Sequence, residues 1–218
     1  MLTLEKRLDY LLAIYITAIV CAELLGSKFI TIFGVPASVG ILALPFTFVI
    51  NDVVSEVAGK ERARNFVRSG LYMLIFLLIF VYVARELPPA GFYQNNEAYR
   101  GVFGNSLRVI LGSLTAFAVS EFTDVFVFNF MRRKWGQRFL WLRANVSNFV
   151  GQFIDTTVFI FVAFYLTTPA YDIPKMIAII LPYWLLKMFF SVVETPFTYW
   201  GVRWLGGSVV KATVQTDA

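Results

Sequence analysis

The sequence of 218 residues contains no histidine and only one cysteine, Cys21. Without histidine, the chain cannot build a Ser-His or Cys-His nucleophilic pair, an HExxH zinc motif or an imidazole proton relay. A single cysteine forms neither an intrachain disulfide nor a thiolate zinc cluster. These absences narrow the possible chemistry, and we expect a protein that is not an enzyme and that holds neither a metal nor a cofactor.

Charged residues are also scarce, at 15% of the chain, whereas 58% of the residues are hydrophobic and 17% are aromatic. Soluble domains contain about 25% charged residues, and one of this length cannot hide so much apolar surface in a single core. The net charge of +5 comes from Lys and Arg at the ends of apolar segments. That placement is typical of membrane orientation, so we expect contact with the lipid bilayer and none with nucleic acid.

Six apolar stretches are long enough to cross a bilayer, which takes about 20 residues in a helix. They cover residues 8–27, 37–58, 66–85, 106–131, 146–168 and 176–201. Short Gly- and Pro-containing turns lie between several of them, and no linker is long enough to separate two domains. The sequence therefore predicts an all-α, multi-pass membrane protein in which residues 1–218 form one six-helix transmembrane domain.

Basic residues favour alternate loops. They lie before the first span, between the second and third, between the fourth and fifth, and after the sixth. The remaining loops hold only Lys28, Arg85, Arg100 and Lys175. Because cytoplasmic loops carry the excess of Lys and Arg, this pattern predicts that both termini are cytoplasmic.

Ionisable residues occur inside the predicted spans, where each costs at least about 2.5–3.5 kcal/mol at mid-bilayer. They are Glu23, Asp52, Glu56, Arg108, Glu121, Asp124, Asp155, Lys187 and Glu194. Such residues usually face a cavity or a partner. Glu56 and Arg108 lie close to predicted span ends, so they could instead reach the interface. Lys187 is the one candidate for a deep cation, and we expect it to pair with an aspartate.

Polar residues recur at helical spacing in four spans. Asn148, Gln152 and Asp155 share one stripe, and Lys187, Ser191 and Glu194 repeat that spacing in the sixth span. Their estimated depths place them in one layer, which predicts a single central binding site. The candidate substrate-binding residues are Phe46, Asn51, Asp52, Glu121, Asp124, Asn148, Gln152, Asp155, Lys187 and Glu194.

Four blocks resemble one known family, the queuosine precursor transporters of the vitamin uptake transporter family. The block LPFTFVINDVVSEVAG at residues 44–59, followed by KERAR, is similar to its signature. Residues 116–128, 148–156 and 187–196 resemble its later helices. Asp52, Asp124, Asp155 and Lys187 fall on the charged positions of the family.

The resemblance implies import of 7-deazaguanine bases through the bacterial inner membrane, by a secondary or facilitative mechanism. The substrates would be 7-cyano-7-deazaguanine, 7-aminomethyl-7-deazaguanine or queuine. Such a base has adjacent N–H donors that suit a carboxylate and a carbonyl that needs a donor. Its flat ring suits aromatic faces. Phe46, Phe117, Phe122, Tyr183 and Trp184 lie near the polar layer.

Two other functions stay open at this point. A substrate-binding subunit of an ATP-driven vitamin importer would also be small and helical, but the sequence has no Walker motif, so the ATPase would be a separate chain. A metal-dependent lipid transferase could use the pairs Asp52/Glu56 and Glu121/Asp124, although no DDxxD run is present. The chain could also form a homodimer.

Overall fold

The structure, a computed structural model, describes residues 3–135, 140–165 and 173–206. Within these ranges the side chains of residues 124–125, 128–129, 132, 134–135, 140–145 and 147–148 are not described. The predicted site residues Asp124 and Asn148 therefore lie outside the described side chains.

The described chain is predominantly helical, which confirms the all-α prediction. The helices are α1 (Leu4–Leu25), α2 (Leu44–Ala58), α3 (Lys60–Glu86), α4 (Asn96–Trp135), α5 (Leu140–Phe164), α6 (Ile173–Val193) and α7 (Thr195–Leu205). A hairpin of β1 (Phe29–Ile32) and β2 (Val35–Ser38) and a 3₁₀ turn (Val39–Ala43) connect α1 to α2.

Five segments of the described chain are long and apolar enough to cross a membrane. They are Leu4–Leu25, Val39–Ala58, Lys60–Glu86, Asn96–Thr123 and Ile173–Leu205. In the part of α5 whose side chains are described, the stretch Phe149–Phe164 is also apolar. The multi-pass class is thus confirmed, whereas the count of six spans and the location of the termini stay predictions.

Three details differ from the sequence-based prediction. The turn at Gly34 belongs to a hairpin, in which Phe33 and Gly34 have φ of 50° and 80°. Helix α4 begins at Asn96 instead of residue 106, because its polar first turn, with Glu97, extends the helix beyond the apolar stretch. The sixth span is divided into α6 and α7, since Pro196 has no N–H to continue the helix.

The chain forms two compact units. The first comprises the described residues of Met1–Ile30, Ala37–Val83 and Leu186–Ala218. Its core is built by apolar side chains of α1, α2, α3 and α7, among them Leu8, Val54, Phe66 and Leu205. Arg7 joins α1 to α7, because its guanidinium donates to the Trp204 carbonyl and lies 5.4 Å from the centroid of that indole.

The second unit comprises the described residues of Thr31–Pro36 and Ala84–Leu185. In it α4 and α5 pack as an antiparallel pair. A Cβ added to Gly112 on α4 would lie 3.0 Å from the Cβ of Ala163 on α5, so the absence of a side chain allows close approach. Whether residues 1–218 act as a single domain stays a prediction.

Candidate functional site

The break between α6 and α7 places a carboxylate in the interior of the first unit. Glu194 is only 4% exposed, and its Oε2 has no hydrogen-bond partner among the described residues. Asp52 of α2 is near enough for its charge to interact with that of Glu194. The structure therefore brings together two of the predicted site residues from different helices.

One face of α7 continues this site toward α2. Glu194, Thr198, Gly201 and Leu205 recur at spacings of four, three and four residues, which places them on one stripe. The buried hydroxyl oxygen of Thr198 has no partner in the described chain. Thr198 was missed by the sequence analysis, although continuing the stripe one turn beyond Glu194 would have found it.

Helix α2 contributes the other polar residues of the first unit. The side chain of Asn51 is half-buried, and its Oδ1 has no partner among the described residues. Asp52 is exposed, as is Glu56 near the end of α2. Lys187 of α6 is half-buried, and its predicted pairing with an aspartate stays a prediction.

Phe46 is surrounded mainly by apolar residues. It is 60% exposed and borders two open grooves of about 530 and 410 Å³. The larger lies along α1 and the 3₁₀ turn, and the smaller along α1, α2 and α7. Neither groove is lined by Asn51 or Asp52. A role for Phe46 in stacking on a substrate stays a prediction.

In the second unit, polar atoms are buried in α5. The Oε1 of Gln152 and the Oγ1 of the fully buried Thr156 have no hydrogen-bond partner in the described chain. Asp155, which lies between these two residues in the sequence, is half-buried. Glu121 of α4 is exposed. Thr156 gave no separate signal in the sequence, because a single threonine in a helix is common.

Arg108 has a structural partner. Its guanidinium donates to the carbonyl of Tyr165, immediately after α5 ends. The carbonyls at the end of a helix have no intrahelical donors, and this contact supplies a donor to one of them. It also places the positive charge of the guanidinium near the negative end of the helix dipole, which is favourable. This contact therefore holds Arg108 within the second unit.

The long apolar helices of the described chain, with polar residues buried among them, define a multi-pass membrane protein. A family model described as "Putative vitamin uptake transporter" matches residues 38–201. The chain belongs to this family, which confirms the resemblance seen in the sequence.

Two curated relatives extend over most of the chain. The "Probable queuosine precursor transporter" of Bacillus subtilis is 34% identical over 183 residues, which cover 84% of this chain and 79% of that protein. The "Queuosine precursor transporter" of Escherichia coli is 27% identical over 190 residues, or 86% of this chain and 82% of that protein. No solved structure matches the chain. The protein is thus a multi-pass bacterial membrane protein of a transporter family.

Proposed function

We propose that the protein imports queuosine precursors, which are 7-deazaguanine bases, across the bacterial inner membrane. The observation that carries the proposal is the similarity, over more than four-fifths of the chain, to two proteins named for this transport. The relatives are transporters, so we infer that the ligand crosses the membrane chemically unchanged and that the protein is not an enzyme.

Buried polar atoms in the helices support this function. Asn51, Gln152 and Glu194 each have a buried oxygen with no partner in the described chain. Leaving such an atom unsatisfied costs about 1–3 kcal/mol, and more when it is charged. All three oxygens accept hydrogen bonds, and a guanine-like base offers several N–H donors. A base bound within either unit would give the unpartnered oxygens of that unit the donors that they lack.

Competition between bases tests the proposal. Cells or proteoliposomes that contain the protein would take up a labelled 7-deazaguanine in the presence of unlabelled competitors. If a carboxylate accepts the N1–H and 2-amino donors, the 2-desamino analogue should compete at least about tenfold less well, and adenine should compete least. Equal inhibition by the three unlabelled bases would contradict recognition of the hydrogen-bonding edge of the base. Ring stacking would then be the remaining explanation of binding.

The energy source distinguishes two versions of this function. A secondary or facilitative importer needs only this chain, whereas the subunit of an ATP-driven importer needs a separate ATPase. Proteoliposomes with the purified chain alone should therefore accumulate or equilibrate the base without ATP. Uptake that requires ATP and a co-purifying ATPase would favour the second version. Recovery of the internalised base at unchanged mass would argue against the lipid transferase.

A further inference from the structure

A buried tryptophan in the second unit has an indole N–H without a partner. Trp184 of α6 is 6% exposed, and within the described chain its Nε1 makes no hydrogen bond. Its ring packs edge-on against Phe149 and Phe153 of α5, with centroid distances of 4.3 and 5.6 Å and interplanar angles of 80° and 86°. Buried Trp N–H groups usually find a hydrogen-bond acceptor, so this one calls for an explanation.

The two phenylalanines that hold the ring lie on either side of Gln152 in the sequence of α5. Phe149, Gln152, Phe153 and Thr156 follow the spacing of one helical face. This face therefore carries the aromatic contacts of Trp184 together with the unpartnered oxygens of Gln152 and Thr156. An N–H donor, a carbonyl acceptor and a hydroxyl come from two adjacent helices of one unit.

This combination suits a polar heterocycle better than a lipid. Packing alone would be satisfied by Phe in place of Trp and by Leu in place of Gln. A lipid chain has no donor for Gln152 and no acceptor for Trp184. A lactam ring has both, because its carbonyl accepts a hydrogen bond and its ring N–H groups donate. The aromatic rings also provide apolar surface for a flat ligand.

We propose that Trp184 determines specificity by donating its indole N–H to the exocyclic carbonyl of the transported base, while the Gln152 amide oxygen accepts a ring N–H. The inference rests on the proposed function and adds the residue that reads the carbonyl. A ligand without that carbonyl leaves the Trp184 donor unsatisfied and binds more weakly.

Trp184→Phe removes the N–H and keeps an aromatic ring against α5. The probes are 7-deazaguanine and 2-amino-7-deazapurine, which lacks both the carbonyl oxygen and the N1–H. For the wild type, we expect 7-deazaguanine to compete about a hundredfold better than 2-amino-7-deazapurine, about tenfold for each of the two hydrogen bonds. In the variant this advantage should fall to about tenfold, because 7-deazaguanine loses the hydrogen bond to its carbonyl, whereas 2-amino-7-deazapurine has no carbonyl and its affinity is unchanged. The control Trp200→Phe, at a side chain of α7 that is 69% exposed, should keep the wild-type ratio.

A second variant keeps the inference testable if Trp184→Phe does not fold. Gln152→Met has similar size and no carbonyl acceptor, and it should weaken competition by 7-deazaguanine about tenfold. Wild-type selectivity in a folded Trp184→Phe protein would overturn this inference but not the proposed function. If Trp184→Phe does not fold, wild-type affinity in Gln152→Met would have the same consequence. A wild-type protein that binds no 7-deazaguanine would overturn the proposed function as well.

Discussion

Gly201 of α7 lies directly against Val53 of α2, so that a Cβ on Gly201 would be 2.7 Å from Val53 Cγ2. Real Cβ atoms do not approach a methyl carbon so closely, and the contact is possible only because glycine has no side chain. Gly201 is on the same stripe of α7 as Glu194. Close packing of α7 on α2 therefore helps to hold Glu194 near Asp52.

Gly201→Ala should separate the two helices and destabilise the protein. Overpacking of this kind costs about 1–3 kcal/mol, which we expect to appear as a lower melting temperature and lower uptake. The matched control is Gly101→Ala on α4, where nothing lies within 4 Å of an added Cβ. That control should be neutral or slightly stabilising, since alanine favours helix. Identical melting of the two variants in detergent would contradict this packing.

Glu194→Gln should reduce uptake without lowering the melting temperature. The carboxylate is buried beside Asp52, and an amide of the same shape removes the repulsion between the two charges. We expect an equal or higher melting temperature, together with uptake reduced by at least about tenfold, because buried ionisable residues in membrane helices are usually functional. The control is Glu97→Gln at an exposed position in the first turn of α4.

A result in which Glu194→Gln melts at a lower temperature and retains full uptake would assign this carboxylate a structural role. The control variant should match the wild type in both measurements. Protein amount in the membrane is measured for each variant, so that lower uptake is not confused with lower expression.

The elements of this fold were more predictable than their contacts. Hydrophobic runs located the helices, and helical spacing placed Gln152 and Glu194 on polar stripes. The break at Pro196 was missed, because the apolar composition continues through it. The contact between Gly201 and Val53 could not be predicted, since it depends on two helices far apart in the chain.

The contacts of the site residues were likewise not predictable from the sequence. Trp184 was one of many aromatic residues in the sequence, and nothing in the spacing indicated that its indole N–H would be buried without a partner. Phe46 was predicted from its position near the polar layer, and that it borders two largely apolar grooves could not be foreseen from the sequence. The neighbours of a side chain depend on how the helices pack against one another. The periodicity of a single helix does not determine that packing.

Arg108→Met should destabilise the second unit without changing selectivity. The substitution keeps much of the apolar stem and removes the donor to the Tyr165 carbonyl at the end of α5. Hydrogen bonds of charged groups contribute about 1.5–3 kcal/mol, so the melting temperature should fall by several degrees. The ratio of competition by 7-deazaguanine and its 2-desamino analogue should match the wild type. A changed ratio would show that Arg108 contributes to recognition.

The topology prediction depends on whether α5 crosses the membrane, because within the described residues α5 is not among the five segments long and apolar enough to do so. With six spans, both termini are cytoplasmic and the loop between α3 and α4 is outside. Reporters placed after Ala218 and within Gln94–Asn96 should then lie on opposite sides of the membrane. If α5 does not cross, five spans remain and the chain after α7 is carried to the outside, so both reporters lie on the same side. A third reporter between α2 and α3, near the basic residues Lys60 and Arg62, marks the cytoplasmic side and controls for inverted insertion.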